Sequence, residues 1–204
     1  MGSYITTGFV FNGTDVNIVN RKLKAIIMYL SNGSERYKFV KASKDTDGNN
    51  WLKLEFEELT DIQEGYRLAS KGFFGQIDLV TGLFTSNEIF VSVRVEKEAD
   101  YFGLLVDIAE KDLIKSNDYA VLNAADDLMI NFMSELYKVL KYNYAFCDNE
   151  AELQFSPNEF KNITKEMYSI IVIPSNSGNS ITNVFRSNWY LNGLTSRDTA
   201  KSKR

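Results

Sequence analysis

The chain has 204 residues, 44% of them hydrophobic and 25% charged, with 14 Phe, 11 Tyr, 2 Trp, one Cys and no His. Without histidine there is no Ser-His-Asp or Cys-His nucleophile, and one cysteine cannot complete a zinc tetrad, so any catalysis would rest on carboxylates, Lys, Tyr or a carboxylate-bound metal. No apolar run approaches the roughly 20 residues that span a bilayer, and a lone cysteine behind an N-terminus without a leader pattern agrees with a reducing cytoplasm.

The formal net charge of −4 hides a strong segregation. Residues 1–50 carry seven Lys/Arg and four Asp/Glu, residues 51–160 nine and twenty-one, and residues 161–204 seven and two. The acidic middle repels nucleic acid and anionic membrane and favours a basic partner.

Tyr4–Phe11 is β-rich and ends at the turn signal Asn12-Gly13. Thr14 or Asp15 then caps a helix to Leu30, with Val16, Val19, Leu23, Ile26 and Leu30 on one stripe. Arg36–Ala42 reads as a strand, and Asp45–Asn50 as a polar hairpin tip. The tip imitates a calcium loop, but aligning Gly48 to the sixth position puts Leu54 where the bidentate Glu belongs. Trp51–Glu57 alternates, with Leu52, Leu54 and Phe56 inward and Trp51, Lys53, Glu55 and Glu57 outward. Thr60-Asp61-Ile62-Gln63 is a capping box for a helix reaching Gly72.

Strands follow at Phe73–Val80, Glu88–Glu98 and Tyr101–Ile108, the second with Ile89, Val91, Val93 and Val95 on one face. Asp118–Lys141 is the longest helix, about 36 Å at 1.5 Å per residue, with Val121, Ala125, Leu128, Phe132, Leu136 and Val139 as its seam. Asn143–Phe155 is extended with a turn near Asp148-Asn149, and Ser156-Pro157-Asn158-Glu159 caps another helix. Its Glu159-x-Lys161 spacing resembles that of metal nucleases, but on a helix the two side chains diverge by about 200°. Tyr168–Ile173 and Val184–Leu191 are the last strands, with Trp189 expected in the core.

The order β-α-β-β-α-β, β-β-α-β-α-β-β predicts an α+β fold: a largely antiparallel sheet with helices on one side, compatible with two fused ferredoxin-like halves. Residues 1–194 read as one domain with sub-lobes 1–87 and 88–194, and 195–204 as a polar basic tail that frays. Candidate recognition residues are acidic and aromatic. Asp148, Glu150 and Glu152 share parity in an extended segment and would form a ladder beside Tyr144 and Phe146, while Glu55, Glu57, Glu58 and Asp61 form a second acidic cluster near the exposed Trp51.

Tyr101-Phe102-Gly103, the long helix ending Leu136-Tyr137, the run Tyr144–Glu152 and Trp189 with Gly193-Leu194-Thr195 resemble immunity proteins of bacterial polymorphic toxin systems over roughly residues 88–198. The resemblance implies a small cytoplasmic protein that blocks one cognate secreted toxin, often a nuclease, with no catalytic residues to carry over. No cofactor or metal is implied, and the partner would be a basic toxin C-terminal domain rather than nucleic acid or membrane. A carboxylate-based hydrolase and a non-catalytic adaptor or ligand-binding domain are the alternatives.

Overall fold

The computed structural model describes residues 2–32, 36–43, 45, 47–55, 61–162, 167–175 and 181–198. Phe56, Glu57, Glu58 and Thr60, most of the 175–183 segment and the end of the tail lie outside them. The elements are β1 (Tyr4–Asn12), α1 (Val16–Ser31), β2 (Tyr37–Ser43), β3 (Trp51–Glu55), α2 (Ile62–Lys71), β4 (Phe74–Thr81), β5 (Ile89–Lys97), β6 (Tyr101–Ala109), α3 (Glu110–Leu113), α4 (Tyr119–Leu140), β7 (Tyr144–Asn149), α5 (Pro157–Phe160), β8 (Ile170–Pro174) and β9 (Ile181–Arg186). Apart from the one-turn α3, this is the order the patterning predicts, and the α+β class holds.

The strands form one nine-stranded sheet in the order β3-β2-β4-β5-β6-β1-β7-β8-β9, and every pairing is antiparallel. Among the described residues the strand order is not that of two ferredoxin-like halves. The first strand pairs with β6 and β7 at the centre of the sheet rather than with strands of its own half. That placement explains its composition: Ile5 to Phe11 are buried on both faces, as a central strand covered on both sides requires.

The main core fills one face, where α1, α2 and α4 pack on the inward sets of β2, β4, β5 and β6. Val19, Leu23, Ile26 and Leu30 are buried as the stripe predicts, whereas Val16 sits at the helix entrance with 43% exposure. Asp15 is the N-cap, accepting from the amides of Asn17 and Ile18 at 2.9 and 3.1 Å. The α2 cap falls on Asp61, whose side chain accepts from the Gln63 amide. Of the expected α4 seam, Ala125, Phe132 and Leu136 are buried, Val121 and Leu128 are half-buried and Val139 is exposed, while Leu122, Met129, Met133 and Leu140 complete the buried stripe. A helix seated between the sheet and α1 buries a wider arc than a single stripe at three- and four-residue steps supplies.

Gly75 fixes how closely α2 approaches β4, because a Cβ there would lie 2.0 Å from the Ala69 carbonyl oxygen. On the opposite face, Ala151, Leu153 and Phe160 cover Val10, Tyr144, Phe146 and Ile171. Residues 150–160 therefore form a strap across β6, β1, β7 and β8, opened by the left-handed Glu150 (φ 48) and ended by the predicted Ser156–Glu159 capping box. The helix that box begins is a single turn.

The last expected strand stops at Arg186. Trp189 forms only an isolated bridge with Ser196 and is half-buried, while Tyr190 and Leu191 beside it take the core positions. The described start of the basic tail is docked. The Arg197 guanidinium lies 2.5 Å from the buried Asp126 and donates to the carbonyls of Ser187 and Trp189.

Candidate docking surface

The alternation that sends Ile89, Val91, Val93 and Val95 inward also sends Phe90, Ser92, Arg94 and Glu96 outward. Among the described residues no helix covers that outward face from β3 to β5. Strand register arranges it into cross-strand rows. One runs Trp51, Ser43, Phe74, Glu96; the next Lys53, Lys41, Gln76, Arg94; the third Glu55, Phe39, Asp78, Ser92, Asp107, Thr6, Asp148. The third row places a carboxylate on every second strand, hence about 10 Å apart at the usual strand spacing. The acidic ladder thus runs across the sheet and not along β7.

Arg94 organises the middle of the face. Its Nε lies 2.5 Å and its Nη2 3.2 Å from the two oxygens of Asp107, and its Nη1 meets Glu96. Thr6 Oγ1 donates to Asp107 at 2.7 Å. Burial holds the Glu96 carboxyl above its ordinary range, and Asp107, Glu152 and Glu98 push it the same way against the pull of Arg94. Burial likewise lifts the Tyr101 phenol, with Glu98, Glu159 and Asp100 adding to it. The strap and the β5–β6 hairpin thus bring acids from distant parts of the chain to one margin around one guanidinium.

Large apolar side chains interrupt this charge. Phe90 is 66% and Trp51 45% exposed. Trp51 donates its indole N–H to the Gly48 carbonyl at 2.7 Å and packs 6.4 Å from the Phe74 ring. Lys53 and Lys41 lie 4.3 and 5.1 Å from the Phe39 ring centre. The Asp45 carboxylate accepts from the amides of Asn49 and Asn50, so the calcium-like loop is a hairpin tip closed by its own side chain.

The sequence-derived candidates divide on this surface. Trp51 and Glu55 lie exposed on the open face as their parity predicts, and Glu57 is outside the described residues. Asp148 is not a free ladder rung. Strand β7 ends at Asn149, and the Asp148 carboxylate accepts from Trp189 Nε1 at 3.1 Å and the Ser169 amide at 2.9 Å. Burial raises its pKa, partly offset by those donors. Glu150 turns away in the left-handed conformation, and the exposed Glu152 lies on the strap. Tyr144 is 1% exposed, stacked on Phe160 with ring centres 3.8 Å apart, so it anchors the strap instead of meeting solvent. Arg94, Glu96, Phe74 and Phe90 escaped the sequence reading, although the β5 alternation marks three of them as outward.

Elsewhere, a cavity of ≈ 440 Å³ between the end of α4 and β8–β9 is lined mainly by Tyr137, Tyr142, Tyr144, Phe160, Ile173 and Phe185. The free Cys147 is fully buried and receives the Thr7 hydroxyl at 3.2 Å. No group of three or more His, Cys, Asp or Glu among the described residues is placed to hold a metal ion. Glu159, from the nuclease-like spacing, accepts from the Ser156 amide at 2.9 Å.

The result is a helix-backed antiparallel sheet whose open face mixes aromatic and charged side chains. The profile of the immunity protein 64 family matches residues 1–197, and the chain belongs to that family. It is thus an immunity protein, of the class that binds and neutralises a toxin. No curated protein matches the sequence. Among solved structures, the chain is similar to the Pseudomonas aeruginosa T6SS protein PA0821 at 6% identity and a TM-score of 0.40, over 72% of this chain and 41% of that one. It is also similar to a chain of the complex between the toxic C-terminal tip of CdiA from Pseudomonas aeruginosa and its immune protein, at 15% identity and a TM-score of 0.38, over 72% of this chain and 87% of that one. No helix among the described residues is long and apolar enough to cross a membrane.

Proposed function

We propose that this immunity protein works by stoichiometric docking, without chemistry of its own, and that the toxin domain seats on the open sheet face and the acidic margin beside it. The observation that carries this is the exposure of Trp51 and Phe90, with the half-buried Phe74 beside Trp51, among charged side chains on a face no described helix covers. Aromatic anchors ringed by polar groups are the usual composition of a binding hot spot. The surplus of carboxylates around Arg94 favours a basic partner, as the substrate-binding face of a nuclease is, and would speed encounter by steering. Glu55, Trp51 and Glu152 belong to this surface, with Asp148 and Tyr144 supporting it from beneath. A cytoplasmic location follows from neutralising a toxin that acts inside the cell.

The carboxylate-hydrolase alternative is weaker on geometry. Glu96 and Asp107, two largely buried acids of the open face, are both bound to Arg94 and do not oppose each other across a substrate cleft. The test is co-expression with the toxin domain encoded beside this gene, followed by calorimetry of the purified pair. Docking predicts protection of the cell and a one-to-one complex. Protection without a complex, or turnover of a toxin substrate by the purified chain, would overturn it.

A further inference from the structure

Trp51, Phe74 and Glu96 line a cleft of ≈ 400 Å³, together with Asp47, Gly48, Gln76 and Arg94. The Trp51 and Phe74 rings are tilted at 35° to each other with centres 6.4 Å apart. The Trp51 indole is held in place by the Gly48 carbonyl, and Gly48 has φ +66 in a turn that brings it against Phe74 and Trp51. At the far end, Glu96 is ion-paired to Arg94, while Asp107, Glu152 and Glu98 add negative charge around it. Lys41 and Lys53, one row over, lie against Phe39.

We propose that this cleft is the subsite for a cationic side chain, arginine foremost, of the docked protein, a reading that rests on the docking function above. The chemistry selects the occupant. A guanidinium is flat, stacks on aromatic faces, and stays charged when partly desolvated. Its edge can also make paired hydrogen bonds to a carboxylate such as Glu96. An anion would meet the carboxylate surplus, and a neutral apolar group would leave that surplus uncompensated. Lysine fits less well, because its compact ammonium cannot cover two rings and bind a carboxylate edge-on.

The probe is the capped tripeptide acetyl-Gly-Arg-Gly-amide, titrated into the ¹⁵N-labelled full chain while the two indole N–H resonances are followed. Trp51→Phe assigns them. The expected result is a saturable shift of the Trp51 indole with the Trp189 indole unmoved, a smaller shift with the lysine peptide, and none with the citrulline peptide, which keeps the shape and loses the charge. Glu96→Gln should abolish most of the shift while the thermal midpoint is retained. No shift with the arginine peptide, an equal shift with citrulline, or an undiminished shift in Glu96→Gln would overturn the subsite. With the toxin domain, Trp51→Ala should weaken Kd about tenfold or more. A Trp51→Ala complex of parental affinity would refute the cleft and leave the docking function standing. Failure of the parent to form any complex would refute the docking function, while the peptide titration still decides the cleft.

Discussion

Arg197→Ala is the sharpest test of how the C-terminal segment is held. The guanidinium is 2.5 Å from Asp126 Oδ2, with side-chain exposures of 13% and 2%, and it donates to the backbone carbonyls of Ser187 and Trp189. Asp126 Oδ1 and Arg197 Nε have no hydrogen-bond partner among the described residues, so the pair has no spare solvation to fall back on. Removing one member of a buried pair leaves the other charged and unpaired, which costs about 3–5 kcal/mol. At roughly 2–4 °C per kcal/mol for a chain of this size, the thermal midpoint should fall by about 10 °C. Burial already raises the Asp126 pKa against the pull of Arg197. Without Arg197 that pKa rises further, and a carboxyl whose folded pKa is raised favours folding at low pH and loses that benefit as pH rises through it. The gap between variant and parent, measured by calorimetry, should therefore narrow on acidification. The double variant Asp126→Leu, Arg197→Met should recover most of the loss, because an apolar pair of similar volume replaces an ion pair at little cost. A midpoint within about a degree of the parent at neutral pH would refute the reasoning.

Gly75→Ala forces a Cβ against the Ala69 backbone; it should cost about 1–3 kcal/mol or more in denaturant titration, with increased amide exchange in α2. Trp189→Phe deletes the indole donor to the half-buried Asp148; a charged acceptor losing one donor costs about 1.5–3 kcal/mol, and a loss as large as a core truncation would show that the ring is buried. Glu96→Gln should leave stability at pH 7 unchanged or slightly higher, since the raised carboxyl pKa means its charge is held at a cost. The parent should gain on the variant as pH falls through that raised value, and a drop of several kcal/mol at pH 7 would show that the ion pair with Arg94 dominates.

Much of this architecture was legible because local period decides face. The alternation of β5, the caps at Asp15 and Ser156 and the exposure of Trp51 follow from spacing alone. What spacing does not carry is which strands meet. The insertion of β1 between β6 and β7 joins Thr6 to Asp107 and to Asp148, pairings more than 100 residues apart, and that register creates the acidic row across the sheet. The ladder expected along Asp148, Glu150 and Glu152 failed at one residue, where Glu150 adopts φ 48 and ends the strand. The anchoring of Arg197 was hidden by its setting in a basic polar tail, because only the folded Asp126 gives it a partner.

The docking claim is tested most directly by carboxyl-selective chemical footprinting of the chain alone and in complex with its toxin domain. Docking on the open face predicts reduced labelling of Glu55, Glu98, Asp100 and Glu152, with Asp127 and Glu135 on α4 and Glu64 on α2 labelled as in the free protein. Steady protection of the helix acids, with the open-face carboxylates still fully reactive, would contradict it.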